Sequence, residues 1–264
     1  MAKIQIQIND FDLFHEAVKT ASKVVESAKF LISEAGLEIY GARARTARCE
    51  LVTNAVTAAE PLSFSVENLQ TFIKLLSTAK DVHGDDFSGL KFFYDRPAVK
   101  FESKKFKTKF STCNEDIISK WVTTKIDARF TPVFEFTSSS DMIKRLNGQA
   151  FMFSSAKDMR IYLETRPDME NNAVFATVGN RETDLNNEIT LKFGLVSSGS
   201  LSTKEGGDRS LILDFERLNL FNALQSDAIK FQLMDVNCLV SRASVPGKNG
   251  SFFNFDLYCT ILKA

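Results

Sequence analysis

The sequence predicts an α+β fold built from two similar domains, each with two helices packed on antiparallel β-sheet. Three observations predict it. Short runs of alternating apolar and polar residues read as strands, and stretches with apolar residues every third or fourth position read as helices. These elements come in one order that occurs twice along the chain. One stretch also repeats without a gap: Leu62–Phe72 lies on Leu211–Phe221 at a constant offset. Within it Leu62 matches Leu211, Glu67 matches Glu216, Leu69 matches Leu218 and Phe72 matches Phe221.

Weaker echoes keep the same order. Leu90-Lys91-Phe92 parallels Ile229-Lys230-Phe231, and Phe106 to Cys113 parallels Phe252 to Cys259. Upstream, Phe30-Leu31-Ile32 corresponds to Arg160 to Leu163, and Leu37 to Gly41 to Ala173 to Gly179. The predicted division is residues 1–113, a connector 114–129, and residues 130–264.

In the first half, Lys3 to Ile8 alternates as a strand. Asn9 or Asp10 then caps a helix to about Ser27, since a side-chain oxygen there accepts an orphan backbone N–H. Phe14, Ala17, Val18, Ala21, Val24 and Val25 give that helix one apolar face. Strands follow at Ala28 to Ser33, Leu37 to Arg43, Arg48 to Val56 and Leu62 to Ser65. Ser65 is expected to cap a second helix to about Ala79. Leu90 to Tyr94, Val99 to Glu102 and Phe106 to Cys113 close the half as strands.

The second half repeats the plan. Pro132 to Thr137 is a strand, and the cluster Ser138 to Asp141 caps a helix to about Phe153 with Ile143, Leu146, Ala150 and Phe153 on its apolar face. Strands are expected at Met159 to Glu164, Ala173 to Val178, Glu188 to Val196 and Leu211 to Asp214. A short helix from Phe215 to Leu224 precedes strands at Ala228 to Met234, Leu239 to Ala243 and Phe252 to Leu262. The Gly- and Ser-rich run from Ser197 to Gly207 reads as a mobile loop. The connector has no clear period and carries the single tryptophan, Trp121. Two readings stand for it: packing against its own domains, or part of a partner-docking groove, where aromatic residues are enriched.

Composition narrows the function. The 264 residues are 44% hydrophobic and 25% charged, with 33 basic and 33 acidic residues. That neutrality lacks the basic excess that marks many nucleic-acid binders. No stretch approaches the ~20 apolar residues of a membrane span, and Met1 to Gln5 lacks the apolar centre of a secretory signal, so an intracellular protein is expected. Cys49, Cys113, Cys238 and Cys259 are widely spaced and form no C-x-x-C pair, which suits thiols acting as small hydrophobes. With His15 and His83 as the two histidines, little acid–base or metal chemistry is available. His83 lies in Asp81 to Asp86, which lacks the spacing of a calcium loop and reads as a solvated turn. No phosphate-cradling glycine motif or nucleophile elbow occurs. No enzyme, cofactor or metal is expected.

The duplicated order, two helices per half, many antiparallel strands and the long connector together resemble the DNA sliding clamps. That family includes proliferating cell nuclear antigen and the clamps of T-even-like phages. The resemblance spans nearly the whole chain and is nearest over Ser210 to Leu262. The neutral charge and the C-terminus Leu257 to Ala264, without a proline-containing tail, look more like a phage or other viral member. The resemblance implies a clamp fold that forms rings. Six domains in a ring and two per chain imply a homotrimer around double-stranded DNA. It also implies a DNA polymerase and a clamp loader as partners, with a cytoplasmic setting, that of the host for a phage protein, and a nuclear one in a eukaryotic system.

Site residues follow from the same resemblance. Helices lining a pore would offer His15, Lys19 and Lys23, then Lys74 and Lys80, then Lys144 and Arg145, then Arg217 to phosphates of any base sequence. The competing reading is a mixed-charge solvated helix face, because the first helix also carries Asp10, Asp12, Glu16 and Glu26. Subunits would join by strand pairing through Phe106, Thr108 and Phe110 on one copy and Ile189, Leu191 and Phe193 on the next. A peptide groove would use Ile118, Trp121, Val122, Val236, Tyr258 and Ile261. Lys105, Lys107 and Lys109 share one strand face and read first as edge protection, with interface charge or DNA contact as alternatives. Arg43, Arg45 and Arg48 read as a solvated loop or a phosphate contact. The rival to the clamp is a duplicated α+β structural or scaffold protein of a virus that does not encircle DNA.

Overall fold

The computed structural model of the chain describes residues 3–43, 46–113, 130–153, 159–179, 188–199, 201 and 211–262. These fall into two compact units. The first takes described residues from 3–43, 48–113 and 244–255, and the second takes the rest. The stretch 244–255 belongs to the first unit although it lies in the second half of the sequence.

In the first unit β1 (Ile4–Ile8) leads into α1 (Phe11–Val24), β2 (Ala28–Ser33), β3 (Gly36–Arg43), β4 (Ala47–Thr53) and β5 (Val56–Thr57). Then come β6 (Leu62–Val66), α2 (Leu69–His83), β7 (Lys91–Asp95), β8 (Ala98–Glu102) and β9 (Lys107–Ser111). They make two antiparallel groups, ordered β5-β1-β7-β8-β9 and β4-β3-β2-β6. The second unit runs β10 (Pro132–Ser138), α3 (Ser140–Met152), β11 (Arg160–Thr165), β12 (Ala173–Gly179), β13 (Ile189–Ser198) and β14 (Leu211–Leu213). It continues with α4 (Phe215–Leu220) and β15 (Ile229–Met234); β16 (Cys238–Pro246) and β17 (Phe252–Thr260) follow, their residues 244–246 and 252–255 falling in the first unit. With β4 and β5 standing where the second unit has β13 alone, the two orders agree, and so do the pairings. β1 with β7 matches β10 with β15, β2 with β3 and β6 matches β11 with β12 and β14, and β7 with β8 matches β15 with β16. The α+β class and the duplicated plan are therefore those expected.

Several boundaries differ from the sequence reading, each for a local reason. Helix α1 is capped by Asp10, whose Oδ1 accepts the Leu13 N–H at 3.0 Å, but it ends at Val24 rather than near Ser27. Val25 is already extended (φ −131, ψ 150), and β2 must begin at Ala28 to pair with Val66. The cap of α2 is Asn68, whose Oδ1 accepts the Thr71 N–H at 2.8 Å. Ser65 instead lies in β6, opposite Lys29, and α2 continues to His83. Helix α4 stops at Leu220 and tightens into a 3-10 turn over Phe221–Ala223.

The expected strand Arg48 to Val56 is broken at Asn54 and Ala55. Thr53 Oγ1 accepts the Ala55 N–H at 3.1 Å, and the Ala55 carbonyl accepts from Asn9 and Asp10 at 2.8 and 3.0 Å. This side-chain turn moves the chain from one sheet group to the other. In the second unit β13 makes the same move unbroken, pairing with β12 through Leu195 and with β10 from Leu195 to Ser198. Register shifts at Val174/Phe175 and Glu135/Phe136 mark bulges that bend the ladder there. Gly194 sits at the crossing, where a Cβ would lie 2.4 Å from the Thr137 carbonyl oxygen. The predicted loop at Ser197 thus begins two residues later, because Ser198 still pairs with Glu135.

Phenylalanine builds both cores. Phe72 is fully buried under α2 and meets Phe30 at 5.8 Å, Phe101 at 6.5 Å and Phe110 at 5.1 Å. Its repeat partner Phe221 is equally buried and meets Phe231 at 5.4 Å, edge to face. Leu69 and Leu218 are likewise buried in both copies. The repeat therefore preserves core positions, while the caps shift: Asp214 aligns with Ser65, not with Asn68.

Candidate nucleic-acid interface

The helices carry most of the predicted phosphate contacts, and their buried stripes fix which residues face outward. With Ala17, Val18, Ala21 and Val24 buried, α1 turns His15, Glu16, Lys19 and Lys23 away from its core. His15 Nε2 lies 2.9 Å from Ser77 Oγ on α2. Burial together with nearby Lys80 lowers the imidazole pKa, so the ring is neutral at pH 7. It joins two helices and offers no positive charge. Lys19 pairs with Glu16 at 3.2 Å. Lys80 is held by Asp12 at 2.7 Å, and Lys248 reaches the same carboxylate at 3.2 Å. Of the residues expected on α1 and α2, Lys23 and Lys74 project furthest into solvent.

On α3, Lys144 and Arg145 are both exposed, with Asp141 3.4 Å from Lys144. Arg217 is placed otherwise than expected. Its guanidinium pairs with Asp214, and its Nε donates to the Thr260 carbonyl at 2.7 Å. With only 16% of its side chain exposed, it ties the start of α4 to the end of β17. Arg48 is likewise no loop residue, because it pairs with Glu50 at 2.6 Å inside β4. Arg43 is exposed at the end of β3, and Arg45 lies outside the described residues. A cavity of about 660 Å³ between the end of α1 and the start of α2 is lined by Lys23 and Arg43 but also by Glu26 and Glu67. Its charges balance.

The two predicted joining strands each have an open edge among the described residues. Strand β9 pairs with β8 from Lys107 to Ser111 and ends its sheet. Strand β13 pairs with β12 from Ile189, but β10 joins its other side only from Leu195 onward. The stretch Ile189–Lys192 thus has one partnered side, whereas the Phe193 carbonyl already accepts from the Ser138 hydroxyl of β10. Leu191, Ile189, Phe106 and Thr108 are half-buried. Phe110 packs on Phe72 and Phe193 on Phe136 at 6.0 Å, so both side chains serve their own cores, and any joining there runs through backbone.

Of the predicted peptide groove, Ile118, Trp121 and Val122 lie outside the described residues. Val236 is 48% exposed in the β15–β16 turn. Ile261 is buried, and its N–H donates to the carbonyl of the next turn residue, Asn237, at 3.2 Å. Tyr258 is half-buried with its hydroxyl 3.5 Å from Asp256. The sequence reading missed Phe130, which is 39% exposed. The Asp235 N–H donates to the Thr131 carbonyl at 3.2 Å, bringing Phe130 near Val236. An aromatic between connector and strand carries no period, so only the fold reveals that neighbour.

Among the described residues no group of three or more His, Cys, Asp or Glu is placed to hold a metal ion, and no helix is long and apolar enough to cross a membrane. Burial pushes the thiols of Cys49 and Cys259 up to about 12 and that of Cys238 up to about 11, so all three stay protonated. His83 is more than a solvated turn residue. Nδ1 lies 3.2 Å from the Asp86 carbonyl and Nε2 3.0 Å from Ser103 Oγ, which latches the end of α2 to the β8–β9 turn.

No family model matches the sequence, and no curated protein matches it. Solved structures do match along the full length. A proliferating cellular nuclear antigen from Entamoeba histolytica is 16% identical, with a TM-score of 0.66 over 99% of this chain and 98% of that one. The A. fulgidus PCNA bound to the C-terminal region of FEN-1 is 10% identical, with a TM-score of 0.68 over 100% and 99%. A PCNA2–PCNA3 complex from Sulfolobus tokodaii is 13% identical, with a TM-score of 0.59 over 98% and 99%. The chain has the clamp fold of these proteins.

Proposed function

We propose that this chain is a sliding-clamp subunit: three copies close into a ring around duplex DNA and tether a DNA polymerase, adding no catalysis of their own. The observation that carries this reading is the duplicated clamp fold, matched end to end, in which β9 and β13 each have an open edge among the described residues. An open edge invites pairing unless something covers it. Pairing β9 of one copy with β13 of the next covers both and lets a heterologous contact close by rotation. A topological hold needs little affinity for DNA, which suits a chain of zero net charge. The A. fulgidus protein was solved with a FEN-1 C-terminal segment, and exposed Val236 and Phe130 offer a comparable apolar foothold here for polymerase or loader peptides. The ring acts wherever its DNA is copied, in bacterial or phage-infected cytoplasm or in a eukaryotic nucleus.

Light scattering is expected to return three times the 29.6 kDa chain mass. Leu191→Arg, which places a charge on the open β13 edge, is expected to yield folded single chains. A wild type that stays monomeric at high concentration would favour the scaffold alternative. On primed circular DNA, the ring should lengthen the products of the cognate polymerase when the loader is present. The triple variant Lys23→Glu, Lys74→Glu, Lys144→Glu should assemble normally yet leave circular DNA at least about threefold faster, through weakened phosphate attraction. Equal retention by that variant would sink the helix-lined pore.

A further inference from the structure

The helices cover one face of the β1-β7-β8-β9 sheet, through packing such as Phe14 on Phe92 and Phe72 on Phe101. The opposite face is open and strongly basic. Strand registers align its residues in rows. Phe93 stands opposite Lys100 and Lys100 opposite Lys109; beside them Lys91 stands opposite Glu102 and Glu102 opposite Lys107. Directly opposite residues share a face. Lys91, Lys107 and Lys109 are exposed, as are Lys104 and Lys105 in the β8–β9 turn. Lys3 lies 3.6 Å over the Phe93 ring and reaches Glu102 at 3.2 Å, and Lys100 pairs with Asp95. At the α2 end the rows run into a cavity of about 710 Å³ whose lining includes His83, Asp86, Lys91, Lys104 and Lys105. Among the described residues, seven lysines thus share this face with Asp86, Asp95 and Glu102, in a chain whose total charge is zero.

We propose that this sheet face is a second DNA-binding surface, which holds the phosphate backbone of duplex DNA on the side of the first unit away from its helices. Three features select that occupant. Protein interfaces bury an apolar centre and are depleted in lysine, whereas this face is lysine-rich and has no apolar groove. Sequence-independent binding of single strands uses open aromatic rings for stacking, and the ring on this face, Phe93, lies under Lys3. Lysine heads on flexible stems meet phosphates as point charges without reading bases, and a duplex presents such charges at high density. Edge protection, the first sequence reading of Lys105, Lys107 and Lys109, accounts for β9 but not for Lys91 or Lys3 two and three strands away. The proposal rests on this face alone and holds with or without a ring.

The test uses the full chain and a fluorescent blunt duplex, read by anisotropy across a salt series. The triple Lys91→Glu, Lys104→Glu, Lys107→Glu is expected to bind about tenfold or more weakly at low salt. Its plot of log affinity against log salt should flatten by about 0.9 for each phosphate that is no longer neutralised. The same three positions changed to Arg should restore binding. All variants are first matched to wild type by mass and circular dichroism. Unchanged binding by the Glu triple overturns the proposal. So does tighter binding of a single strand of equal length, or equal binding of polyglutamate, which would reassign the face to single strands or to an acidic protein. If only the triple at Lys23, Lys74 and Lys144 weakens binding, the ring reading stands and this one falls. If only the sheet-face triple does, this proposal stands, and the ring is judged separately by its retention on circular DNA.

Discussion

Phe72→Ala is expected to destabilise the first unit by about 3–5 kcal/mol, the usual cost of emptying a buried aromatic site. The side chain has no solvent exposure and touches Phe30 in one sheet group and Phe101 and Phe110 in the other. The void left by its removal would therefore open where the two groups meet, and no single rotamer change can refill it. Phe221→Ala at the matching repeat position removes an equally buried ring with one aromatic neighbour among the described residues, Phe231. Its cost should fall at the low end of the same range. Hydrogen exchange resolves the two cases, since Phe72→Ala should speed exchange in β7 to β9 and Phe221→Ala in β14 and β15. Equal costs would show that the number of aromatic neighbours does not set the difference, and protection lost in the wrong unit would show that the ring does not serve its own core.

These two positions also show why the fold is so legible in the sequence. Period-two alternation and helical spacing are imposed by burial, and burial is shared by both copies, so Leu69, Phe72, Leu218 and Phe221 stand in register. Caps and breaks answer to shorter-range chemistry. Ser65 reads as well as Asn68 for a cap, and only the pairing of Ser65 with Lys29 settles which backbone N–H groups are left over. The split at Asn54 and Ala55 depends on Thr53 bonding its own neighbour, an option that no periodicity reveals.

Charges are the least legible part of the site. Spacing places the eight basic residues expected to face DNA on helices correctly, but spacing cannot report partners. His15 bonds Ser77, Lys80 is held by Asp12 and Arg217 by Asp214 and Thr260; the first partner lies 62 positions away and the second 68. The reverse error occurs on the sheet. Lys105, Lys107 and Lys109 are visible as one strand face, yet the patch exists because β7, β8 and β1 bring Lys91, Lys100 and Lys3 beside them. Open strand edges are similarly a property of topology: neither β9 nor Ile189–Lys192 announces from sequence which side will lack a partner.

Asp10→Ala is expected to cost about 3 kcal/mol, more than an ordinary helix cap, because this carboxylate has two tasks. Oδ1 caps α1 through the Leu13 N–H, worth about 1 kcal/mol. Oδ2 accepts the Lys248 N–H at 3.0 Å and the Ser251 hydroxyl at 2.6 Å, anchoring the stretch 244–255 to the helix start. Hydrogen bonds to a charged group contribute about 1.5–3 kcal/mol each before non-additivity. The fit is close: a Cβ on Gly247 would come within 2.9 Å of Oδ2. Burial pushes the Asp10 pKa up, but the bonds from Ser251, Leu13 and Lys248 outweigh it, and the net value lies below 3.8. A depressed carboxyl adds stability that is complete above its unfolded pKa and is lost as pH falls through the folded one. Asp10→Asn keeps an oxygen for the cap, but its amide nitrogen cannot accept from Lys248 or Ser251. It should therefore cost less than alanine at pH 7, and its gap to wild type should close as pH falls below about 4, near the carboxyl's unfolded value. Urea midpoints between pH 7 and 3 measure this directly. A gap that stays constant across that range would mean the Asp10 charge does not hold the hairpin, and that its shape alone does.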